Sequence, residues 1–360
     1  MDANEAKDIC IAPWNMFRIQ EHGDCYICTT AFKKNYESLG NIFTQSFDEI
    51  WNGEMAQKIR QDIVDEKYTY CRTELCNSGF HSNCVEKMQF KYPDLQNPGH
   101  ADYPNTIFFA FDYSCKQKCV FCRDAVSMLS EEESKKWSDV FEEKLFPVIK
   151  NVKTITLNCI GEFLDGPYSK ELIRKIININ PDIKFEIITN AISFTKQNIE
   201  ELDLSDKINA VRISLHCTSK STYKKIFRKD NFDTVMKNLE FIKSLKDSNK
   251  IQELELMFVI CSLNYKEMKD FVKLANKLNA RASFSLVNKT GARYLDNEEE
   301  FAVFQPNHHL YNDFVRKIKD PIFGKYPIGM PNYVKELGPV SPFRIIKNYI
   351  NYIKMKMKKK

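Results

Sequence analysis

The sequence lacks any apolar stretch long enough to cross a membrane, and it shows no secretory leader pattern. Its longest unbroken apolar run, residues 256–261, has six residues, whereas a membrane-spanning helix needs roughly 20. The first residues, MDANEAKD, do not contain a basic region followed by an apolar one, as a secretory signal would. We therefore expect a cytoplasmic protein without a transmembrane helix.

Three motifs of catalytic proteins are also missing. There is no G-x-x-x-x-G-K-[ST] loop, no G-x-G-x-x-G turn and no H-E-x-x-H helix. The sequence thus gives no support for a nucleotide site that cradles phosphates or for zinc-protease chemistry. The formal net charge of +5 is small, so the composition predicts no nucleic-acid partner.

Cysteine, by contrast, is abundant and unevenly distributed. Nine of the 12 cysteines lie between residues 10 and 122. Because disulfides are rare in the cytosol, closely spaced cysteines there indicate metal binding or redox catalysis. The other three, Cys159, Cys217 and Cys261, lie at the ends of predicted strands, and we expect them to be small buried apolar residues.

A break rich in Pro at residues 93–105 separates two kinds of sequence. After it, short β-branched or aromatic runs alternate with helical patterns, which is typical of parallel α/β folds. The predicted strands lie near residues 106–112, 153–158, 183–189, 209–215, 252–260 and 281–288. The predicted helices lie near residues 131–146, 168–179, 196–203, 219–247 and 265–279. We expect a Cys-rich domain over 1–100, a core over 101–290 and an extension over 291–360.

The phase of the side chains along these strands distinguishes two parallel architectures. In the fourth strand, Arg212, Ser214 and His216 share one face, and apolar residues occupy the other. A doubly wound sheet buries both faces against helices and would be apolar on both. The repeated polar face therefore predicts a partial (β/α)6 TIM-like barrel with a wet interior, preceded by a small Cys-rich α+β domain. His216 and Arg212 would contact substrate or cofactor, or serve as hydrogen-bonded structural residues.

The most specific motif is Cys115-Lys-Gln-Lys-Cys119-Val-Phe-Cys122, directly after the first core strand. Parallel α/β barrels place their chemistry at this end of the strands. Three thiolates can hold three corners of a [4Fe–4S] cluster. The fourth iron then stays open, and an open position distinguishes catalytic metal sites from structural ones.

This arrangement resembles the radical S-adenosylmethionine (radical SAM) superfamily, whose signature is C-x3-C-x2-C after the first barrel strand. The aromatic Phe121 also fits that signature. The resemblance implies that Cys115, Cys119 and Cys122 hold a catalytic [4Fe–4S] cluster whose open iron binds SAM. It further implies reductive cleavage of SAM to a 5′-deoxyadenosyl radical, hydrogen abstraction from a substrate, and a flavodoxin- or ferredoxin-type reductant.

Other positions resemble the SAM-binding motifs of that superfamily. Cys159-Ile160-Gly161-Glu162 is similar to the G-G-E motif that receives the SAM amino group, with Ile160 in place of the first Gly. Thr189-Asn190-Ala191 is similar to the T-N-G motif, and residues of the fourth and fifth strands match positions beside the ribose and adenine. The resemblance thus implies these cofactor-binding residues: Phe121, Gly161, Glu162, Asn190, Ser214 and Val259. No residue is assigned as a catalytic acid or base.

A second set of cysteines lies near the N-terminus. Cys10, Gly23 and Cys28 match C-x(9–15)-G-x4-C, which resembles the opening of SPASM and twitch modules. With Cys71 and Cys76, the resemblance implies four ligands for an auxiliary [4Fe–4S] cluster. Two features depart from that family: the segment precedes the barrel, and four residues rather than two separate the last two cysteines.

Zinc is the alternative for this segment. Cys25-x2-Cys28 with Cys71 and Cys76 would form a four-thiolate zinc site. The two interpretations differ at one position, since the cluster requires Cys10 and zinc requires Cys25. Cys84 remains either a further ligand or a free thiol.

The substrate is not encoded in any motif. SPASM-type relatives act on ribosomal peptides or on sugars, and a polar barrel interior suits both, with oxidation or rearrangement as the outcome. An iron–sulfur electron carrier without SAM chemistry is the alternative function. At the C-terminus, Ile346, Ile350, Ile353 and Met357 recur at helical spacing among lysines. This helix either docks on the barrel or makes a weak contact with an anionic membrane surface.

Overall fold

The computed structural model describes residues 10–28, 38–71, 97–123, 125–157, 160–287 and 298–341, together with 343, 344, 346, 347 and 350. Of residues 298, 299, 332 and 333, only the backbone is described. The chain divides into two compact units, Met1–Ser114 with Met128–Ile187, and Cys115–Ser127 with Ile188–Lys360. The domain boundaries predicted near residues 100 and 290 stay a prediction.

The first unit is built on a mixed sheet. Its strands are β1 (Met16–Gln20), β2 (Asp24–Tyr26), β3 (Gly40–Asn41), β4 (Thr106–Ala110), β5 (Thr154–Leu157) and β6 (Lys184–Thr189), the last reaching into the second unit. Strands β4, β5 and β6 pair in parallel. On the other side of β4, β1 also pairs in parallel, and the short strands β2 and β3 follow it antiparallel.

The second unit contains a parallel sheet. Its strands are β7 (Ile208–Ser214), β8 (Glu253–Ile260), β9 (Arg281–Leu286) and β10 (Ile328–Gly329), and neighbours in this order pair in parallel. Burial alternates along them, because successive side chains point to opposite faces. Val211 and Ile213 are fully buried, whereas Arg212 and Ser214 are half-buried. The polar face predicted for these strands is therefore present.

Helices connect the strands in both units. The α-helices of the first unit are Ala12–Asn15, Phe47–Trp51, Glu54–Val64, Glu131–Val140, Phe146–Ile149 and Ser169–Ile179, with a π-helical segment at Phe141–Leu145. Those of the second unit are Lys196–Glu201, Lys220–Phe227, Phe232–Asp247, Met268–Lys277, Glu298–Phe301, Tyr311–Ile318, Ile322–Lys325 and Asn332–Lys335, with a 3-10 segment at Tyr265–Glu267. Among the described residues, none of these helices has the length and apolarity needed to span a bilayer.

Local signals in the sequence explain where several helices begin and end. Glu131–Val140 starts at a capping box, in which the Ser130 backbone N–H donates to Glu133 and the Glu133 N–H donates to the Ser130 hydroxyl. The single helix predicted over 219–247 is wrong, because the structure has two. Arg228 adopts a left-handed conformation, with φ of +54°, and this conformation ends the first of them.

The predicted fold class is confirmed. All six predicted core strands are present as β4–β9, and strand–helix alternation with parallel pairing gives the α/β class of a partial TIM-like barrel. Each unit has its own aromatic core. Phe109 and Phe141 pack edge to face in the first unit, with ring centroids 5.2 Å apart, and Phe258 and Phe271 do so in the second at 4.8 Å.

Candidate iron–sulfur and SAM site

Backbone hydrogen bonds shape the three-cysteine loop of the second unit. The Cys115 N–H donates to the Ser127 carbonyl at 2.7 Å, and the Ser127 N–H donates back at 3.2 Å, which closes the loop at its base. The N–H groups of Cys122 and Arg123 both donate to the Cys119 carbonyl, at 2.9 and 3.1 Å. These bonds form a tight turn that carries the second and third cysteines.

The middle of the loop is anchored on the rest of the unit. The Val120 N–H donates to the Ile226 carbonyl at 2.8 Å. Phe121 is buried and meets the His216 ring edge to face, with centroids 5.0 Å apart. His216 in turn stacks on Phe227 at 5.8 Å. The aromatic residue before the last cysteine therefore fixes the loop to the end of β7 by packing.

The three thiols lie near one another and beside a cation. Burial raises the pKa of the Cys119 thiol, and the neighbouring Cys122 and Cys115 raise it further. Burial lowers the pKa of Arg123, but its hydrogen bond to the Cys122 side chain and the charges of all three cysteines outweigh that effect and raise it. Sequence reasoning missed Arg123. Its signal is a cation directly after the last ligand, since a positive charge stabilises thiolates.

The three thiols of the loop are the ligand type that holds an iron–sulfur cluster. A cubane binds each thiolate at a different iron, so its ligands surround a face rather than a point. Gln117, also in the loop, is 2% exposed, and its Oε1 has no hydrogen-bond partner among the described residues. Such a buried acceptor is typical of a site that receives a ligand.

The loop that carries Glu162 lies in the first unit and packs on the chain that follows β4. The Glu162 N–H donates to the Ser114 carbonyl at 2.8 Å, and the Asp165 N–H donates to the Glu162 carbonyl at 3.0 Å. A Cβ on Gly161 would overlap the Asp112 carbonyl oxygen and lie 2.7 Å from that of Ser114. Only glycine permits this approach of two backbone segments.

This geometry explains the departure from the G-G-E motif. Gly161 has no room for a side chain, whereas Ile160 is half-buried and its side chain is accommodated. The steric requirement therefore falls on the second glycine position, and this chain retains glycine there. Glu162 is 1% exposed, so its carboxylate is held in an interior position, where charge–charge interactions are stronger than in water.

Asp112 organises the same region, and sequence reasoning missed it. The Ser114 N–H donates to Asp112 Oδ1 at 2.8 Å, and the Ser169 hydroxyl donates to Oδ2 at 3.3 Å. A Cβ on Gly166 would overlap that Oδ2. Burial raises the pKa of Asp112, and the charge of Asp165 adds to the rise. The available signal is a carboxylate at the end of an apolar strand, where a buried charge requires a specific reason.

Asn264 joins the ends of β7 and β8. Its Nδ2 donates to the carbonyls of His216 and Val259, both at 2.8 Å, and its Oδ1 accepts from the Cys261 N–H at 2.8 Å. Asn264 is 1% exposed, so each of these bonds is shielded from water. The bond to its carbonyl fixes the backbone of Val259, the residue expected beside adenine.

His216 does not continue the polar face of β7 as predicted. The strand ends at Ser214, and His216 follows with φ of +60° and 5% exposure. Its Nδ1 accepts from the Val259 N–H at 3.2 Å. The left-handed backbone turns the ring away from the alternation of the strand. The structural alternative for His216 is thus the one that the contacts support.

The segment that resembles T-N-G forms a comparable turn. Ala191 stands where the family has Gly, and its φ is +64°. The conformation is held by the Ala191 N–H donating to Thr189 Oγ1 at 2.9 Å and by Asn238 Nδ2 donating to the Ala191 carbonyl at 2.8 Å. Asn190 uses its own Oδ1 to accept from the Ile192 N–H at 2.9 Å. Its side chain therefore shapes the turn that follows β6.

The half-buried face of the second unit carries the polar side chains predicted for the barrel interior. Ser214 lies opposite Met257 in the parallel register. Deeper on the same face, Arg212 Nε is 3.4 Å from Glu255 Oε2, and the Ser283 hydroxyl hydrogen-bonds the same carboxylate. Arg212 thus has an ionic partner on the adjacent strand, and both side chains remain partly accessible.

Two of the N-terminal cysteines, Cys10 and Cys71, lie near the same tyrosine. The hydroxyl of Tyr68 is near enough to Cys10 and Cys71 for both to influence its pKa, which burial raises first. The Cys71 N–H donates to the Tyr68 carbonyl at 3.1 Å. Cys28 is half-buried. Cys76 lies outside the described residues, as do Cys84 and Cys159.

Cys25, the ligand that distinguishes the zinc alternative, is buried in the sheet of the first unit. Cys25 is in β2 and 0% exposed, and its thiol donates to the Gly23 carbonyl at 3.4 Å. Burial raises its pKa, which disfavours the thiolate that zinc requires. Cys217 and Cys261 are both 0% exposed, so the prediction that they are small buried apolar residues is confirmed.

His216 is expected to make the protein sensitive to acid. Burial lowers its pKa to about 3, against about 6.5 when unfolded. The stabilisation that this neutral ring provides is complete above pH 6.5 and is lost as the pH falls from 6.5 towards 3, by up to about 1.4 kcal/mol per pH unit. We expect His216→Asn, which tolerates the left-handed backbone, to flatten the dependence of Tm on pH in cluster-free protein.

The matched control is His22→Asn, because the side chain of His22 is 82% exposed. Its Tm profile is expected to follow that of the parent between pH 4 and pH 7. An unchanged slope for the His216→Asn variant would show that protonation of His216 does not limit stability.

Two family models match the chain. The radical SAM superfamily model matches residues 112–275, and the model of SPASM, an iron–sulfur cluster-binding domain, matches residues 10–77. The first range contains the three-cysteine loop and Glu162, and the second contains Cys10, Cys28, Cys71 and Cys76. Comparison with curated proteins gives no match.

Two solved structures resemble the chain at low sequence identity. Streptococcus suis SuiB bound to S-adenosylmethionine is 15% identical, with a TM-score of 0.44, and the match covers 89% of this chain and 72% of SuiB. BtrN in complex with AdoMet and 2-DOIA is 14% identical, with a TM-score of 0.26, and the match covers 42% of this chain and 56% of BtrN. The family models and the cysteine loop therefore identify the family of this chain.

The matched domains also settle the cofactors. A radical SAM domain binds a catalytic [4Fe–4S] cluster and SAM, and a SPASM domain binds auxiliary iron–sulfur clusters, so the predicted cofactors are confirmed. The chain therefore belongs to the radical SAM superfamily, with a SPASM-type iron–sulfur domain ahead of its catalytic core.

Proposed function

We propose that this enzyme abstracts a hydrogen atom from a polar substrate, either a peptide or a sugar, and that the outcome is an oxidation or a rearrangement. The observation that carries the radical chemistry is the loop of Cys115, Cys119 and Cys122, in which three neighbouring thiols lie beside the Arg123 guanidinium. Three ligands on a four-iron cluster leave one iron for SAM.

Each part of the proposed SAM site is assigned to residues of this chain. Cys115, Cys119 and Cys122 would hold the cluster, which supplies the electron for reductive cleavage of SAM when it is bound. Glu162 would bind the SAM amino group through a charge-assisted hydrogen bond. Ser214 would bind the ribose or carboxylate, and Val259 would pack on the adenine. Phe121 and Asn190 would shape the surrounding loops, for which their contacts with His216 and Ile192 provide support.

A polar substrate suits the half-buried face of the second unit. Arg212, Glu255 and Ser283 form a connected row on adjacent strands. An ion pair that is only partly buried keeps donors and acceptors accessible to a ligand. Hydroxyl and amide groups of a sugar or peptide would add hydrogen bonds to this row, whereas an apolar substrate would remove its water without adding any.

The N-terminal cluster is proposed to act as an electron relay. Cys10, Cys28, Cys71 and Cys76 would ligate all four irons, so no corner would be left for substrate. A fully ligated cluster would accept the electron that remains after hydrogen abstraction. This assignment favours net oxidation over rearrangement. Delivery of the first electron would require a flavodoxin- or ferredoxin-type reductant, and we place the enzyme in the cytoplasm, where thiolate ligands stay reduced.

Anaerobic reconstitution tests the proposed function. We expect about eight irons per chain and the formation of 5′-deoxyadenosine from SAM after reduction. Incubation with deuterated candidate peptides and sugars then identifies the substrate, because the true substrate transfers deuterium into 5′-deoxyadenosine. Eight irons without cleavage of SAM would instead indicate an electron carrier and would overturn the proposal.

The auxiliary site is tested by replacing, one at a time, the two cysteines at which the cluster and zinc interpretations differ. Cys10→Ala is expected to lower the iron content from about eight towards about four per chain, because it removes a thiolate ligand. Cys25→Ala is expected to keep all the iron and to lower Tm, because this thiol is a buried part of the core. The measurements are iron and zinc contents per chain and thermal unfolding.

The reverse pattern decides for zinc. If Cys25→Ala removed one zinc per chain and Cys10→Ala left the metal content unchanged, the N-terminal segment would be a zinc site. Activity need not be measured for this comparison, so it remains informative even before the substrate is known.

A further inference from the structure

An unusual concentration of exposed apolar side chains lies at residues 343–350. The large apolar residues that are exposed in the described part of the chain are Tyr103, Val126, Met128, Phe343, Ile346 and Ile350. Half of them fall within these eight positions. Phe343 is 85% exposed, Ile346 59% and Ile350 47%. Contiguous apolar exposure of this kind marks an interaction surface.

The spacing of these residues places them on one side of a helix. All described residues between 343 and 350 are helical, and Phe343, Ile346 and Ile350 are separated by three and four positions, which is one face at 3.6 residues per turn. In the sequence, Ile353 and Met357 continue the same spacing. The exposed residues therefore form an apolar stripe that the rest of the described chain does not cover.

The charge around the stripe has a single sign. From residue 337 to residue 360 the sequence contains seven basic residues and no acidic one. These basic residues are Arg344, Lys347, Lys354, Lys356, Lys358, Lys359 and Lys360. The chain as a whole carries a formal charge of only +5, so this segment concentrates positive charge that is elsewhere balanced.

Three possible occupants differ in how well they match this surface. A second copy of the segment would bring like charges together and would be repelled. A nucleic acid would satisfy the lysines but would leave the apolar stripe in water, because its phosphate backbone is polar and charged. An anionic lipid surface satisfies both, since headgroups attract the lysines and the acyl boundary accepts apolar side chains.

We propose that the helical residues described between 343 and 350, together with the basic residues that follow them in the sequence, bind the enzyme to anionic membrane surfaces. Phe343, Ile346 and Ile350 enter the boundary between headgroups and acyl chains, and the basic residues stay among the headgroups. Binding is peripheral and reversible, because a short stripe buries little apolar area and the attraction to the headgroups is screened by salt. This inference is independent of the proposed substrate and chemistry.

Vesicle flotation with the full-length protein tests the proposal. The probes are vesicles of phosphatidylcholine with about 30% phosphatidylglycerol, and vesicles of phosphatidylcholine alone. We expect at least about tenfold stronger binding to the anionic vesicles, with most of it lost when the salt is raised from about 0.1 M to about 1 M. Equal binding to both vesicle types, or no binding to either, overturns the proposal.

Matched variants separate the contribution of the apolar side chains to vesicle binding from that of the lysines. Phe343→Ser with Ile346→Ser is expected to lower binding about tenfold, whereas Tyr103→Ser, at a residue 47% exposed elsewhere, leaves it unchanged. Replacing Lys358, Lys359 and Lys360 by Gln is expected to weaken binding by a similar factor. The control for charge is the replacement of three exposed lysines elsewhere, Lys150, Lys237 and Lys277, by Gln.

Two other results would point to a different occupant. Binding to a DNA duplex without binding to anionic vesicles would assign the segment to nucleic acid and overturn the proposal. Self-association that the Phe343→Ser variant abolishes, seen by light scattering in the absence of vesicle binding, would assign it to a second copy and overturn it as well.

Discussion

Replacing Cys115, Cys119 and Cys122 together by Ala is expected to abolish 5′-deoxyadenosine formation and to remove about four irons per chain. Each thiolate would bind a separate iron, and the triple variant leaves the loop without any of its three ligands. The effect should therefore be complete rather than partial. Iron content, the absorbance of the reconstituted cluster and product formation are the measurements.

The control variant also replaces cysteines by Ala, but at positions outside the three-cysteine loop. Cys217→Ala with Cys261→Ala removes two thiols that are both 0% exposed, so it should lower Tm through lost packing and leave iron and product unchanged. If the triple variant cleaved SAM as fast as its parent, the catalytic cluster would have to be elsewhere and the proposed function would fail.

Gly161→Ala is expected to weaken SAM binding by at least about tenfold while the iron content stays the same. The added Cβ would overlap the backbone of residues 112–114, and forcing an extra methyl group into a packed position costs about 1–3 kcal/mol or moves the chain. The segment that moves carries Glu162, whose N–H donates to Ser114. A displaced carboxylate would lose the hydrogen bond that we propose it makes to the SAM amino group.

The dissociation constant of SAM, followed by the change in the spectrum of the reduced cluster, measures this effect. The matched control is Gly324→Ala, because a Cβ at Gly324 meets nothing within 4 Å. It should leave the SAM affinity and Tm near those of the parent. Unchanged SAM affinity in the Gly161→Ala variant would show that this loop does not position SAM, even if the cysteine loop binds the cluster as proposed.

The two variants probe different links in the chemistry. The cysteine substitutions remove the cluster and therefore every later step. The glycine substitution leaves the cluster and alters only the placement of one carboxylate. A parent enzyme that holds its iron but fails to bind SAM would be inconsistent with the family assignment, whereas a Gly161→Ala variant with that behaviour is the expected result.

Much of the fold could be predicted because it depends on periodicity that is local in the chain. The six core strands were identified from short β-branched runs, and all of them are present as β4–β9. The helix after Ser130 was marked by a capping box that the structure contains. The helix predicted over 219–247 was wrong, because a left-handed residue such as Arg228 leaves no clear mark in the sequence.

The cysteine loop was also accessible from sequence, since its ligands lie within eight residues and their spacing alone defines the motif. The position of the His216 side chain could not be predicted from sequence, although the residue lies next to β7. Its placement depends on a left-handed backbone, on the ring of Phe227 and on the ring of Phe121, which comes from a distant part of the chain. Alternation along a strand predicts a side chain only while the strand continues.

The sequence by itself determined the cysteine spacing, the core strands and the C-terminal segment of basic and apolar residues, because each of these features is encoded in neighbouring positions. Only the tertiary structure decided how these residues are supported. Asp112 holds Ser114 and Ser169 together, and Gly161 admits the backbone of residues 112–114. These contacts join segments about 50 residues apart in the sequence, and short-range patterns carry no information about pairing over that distance.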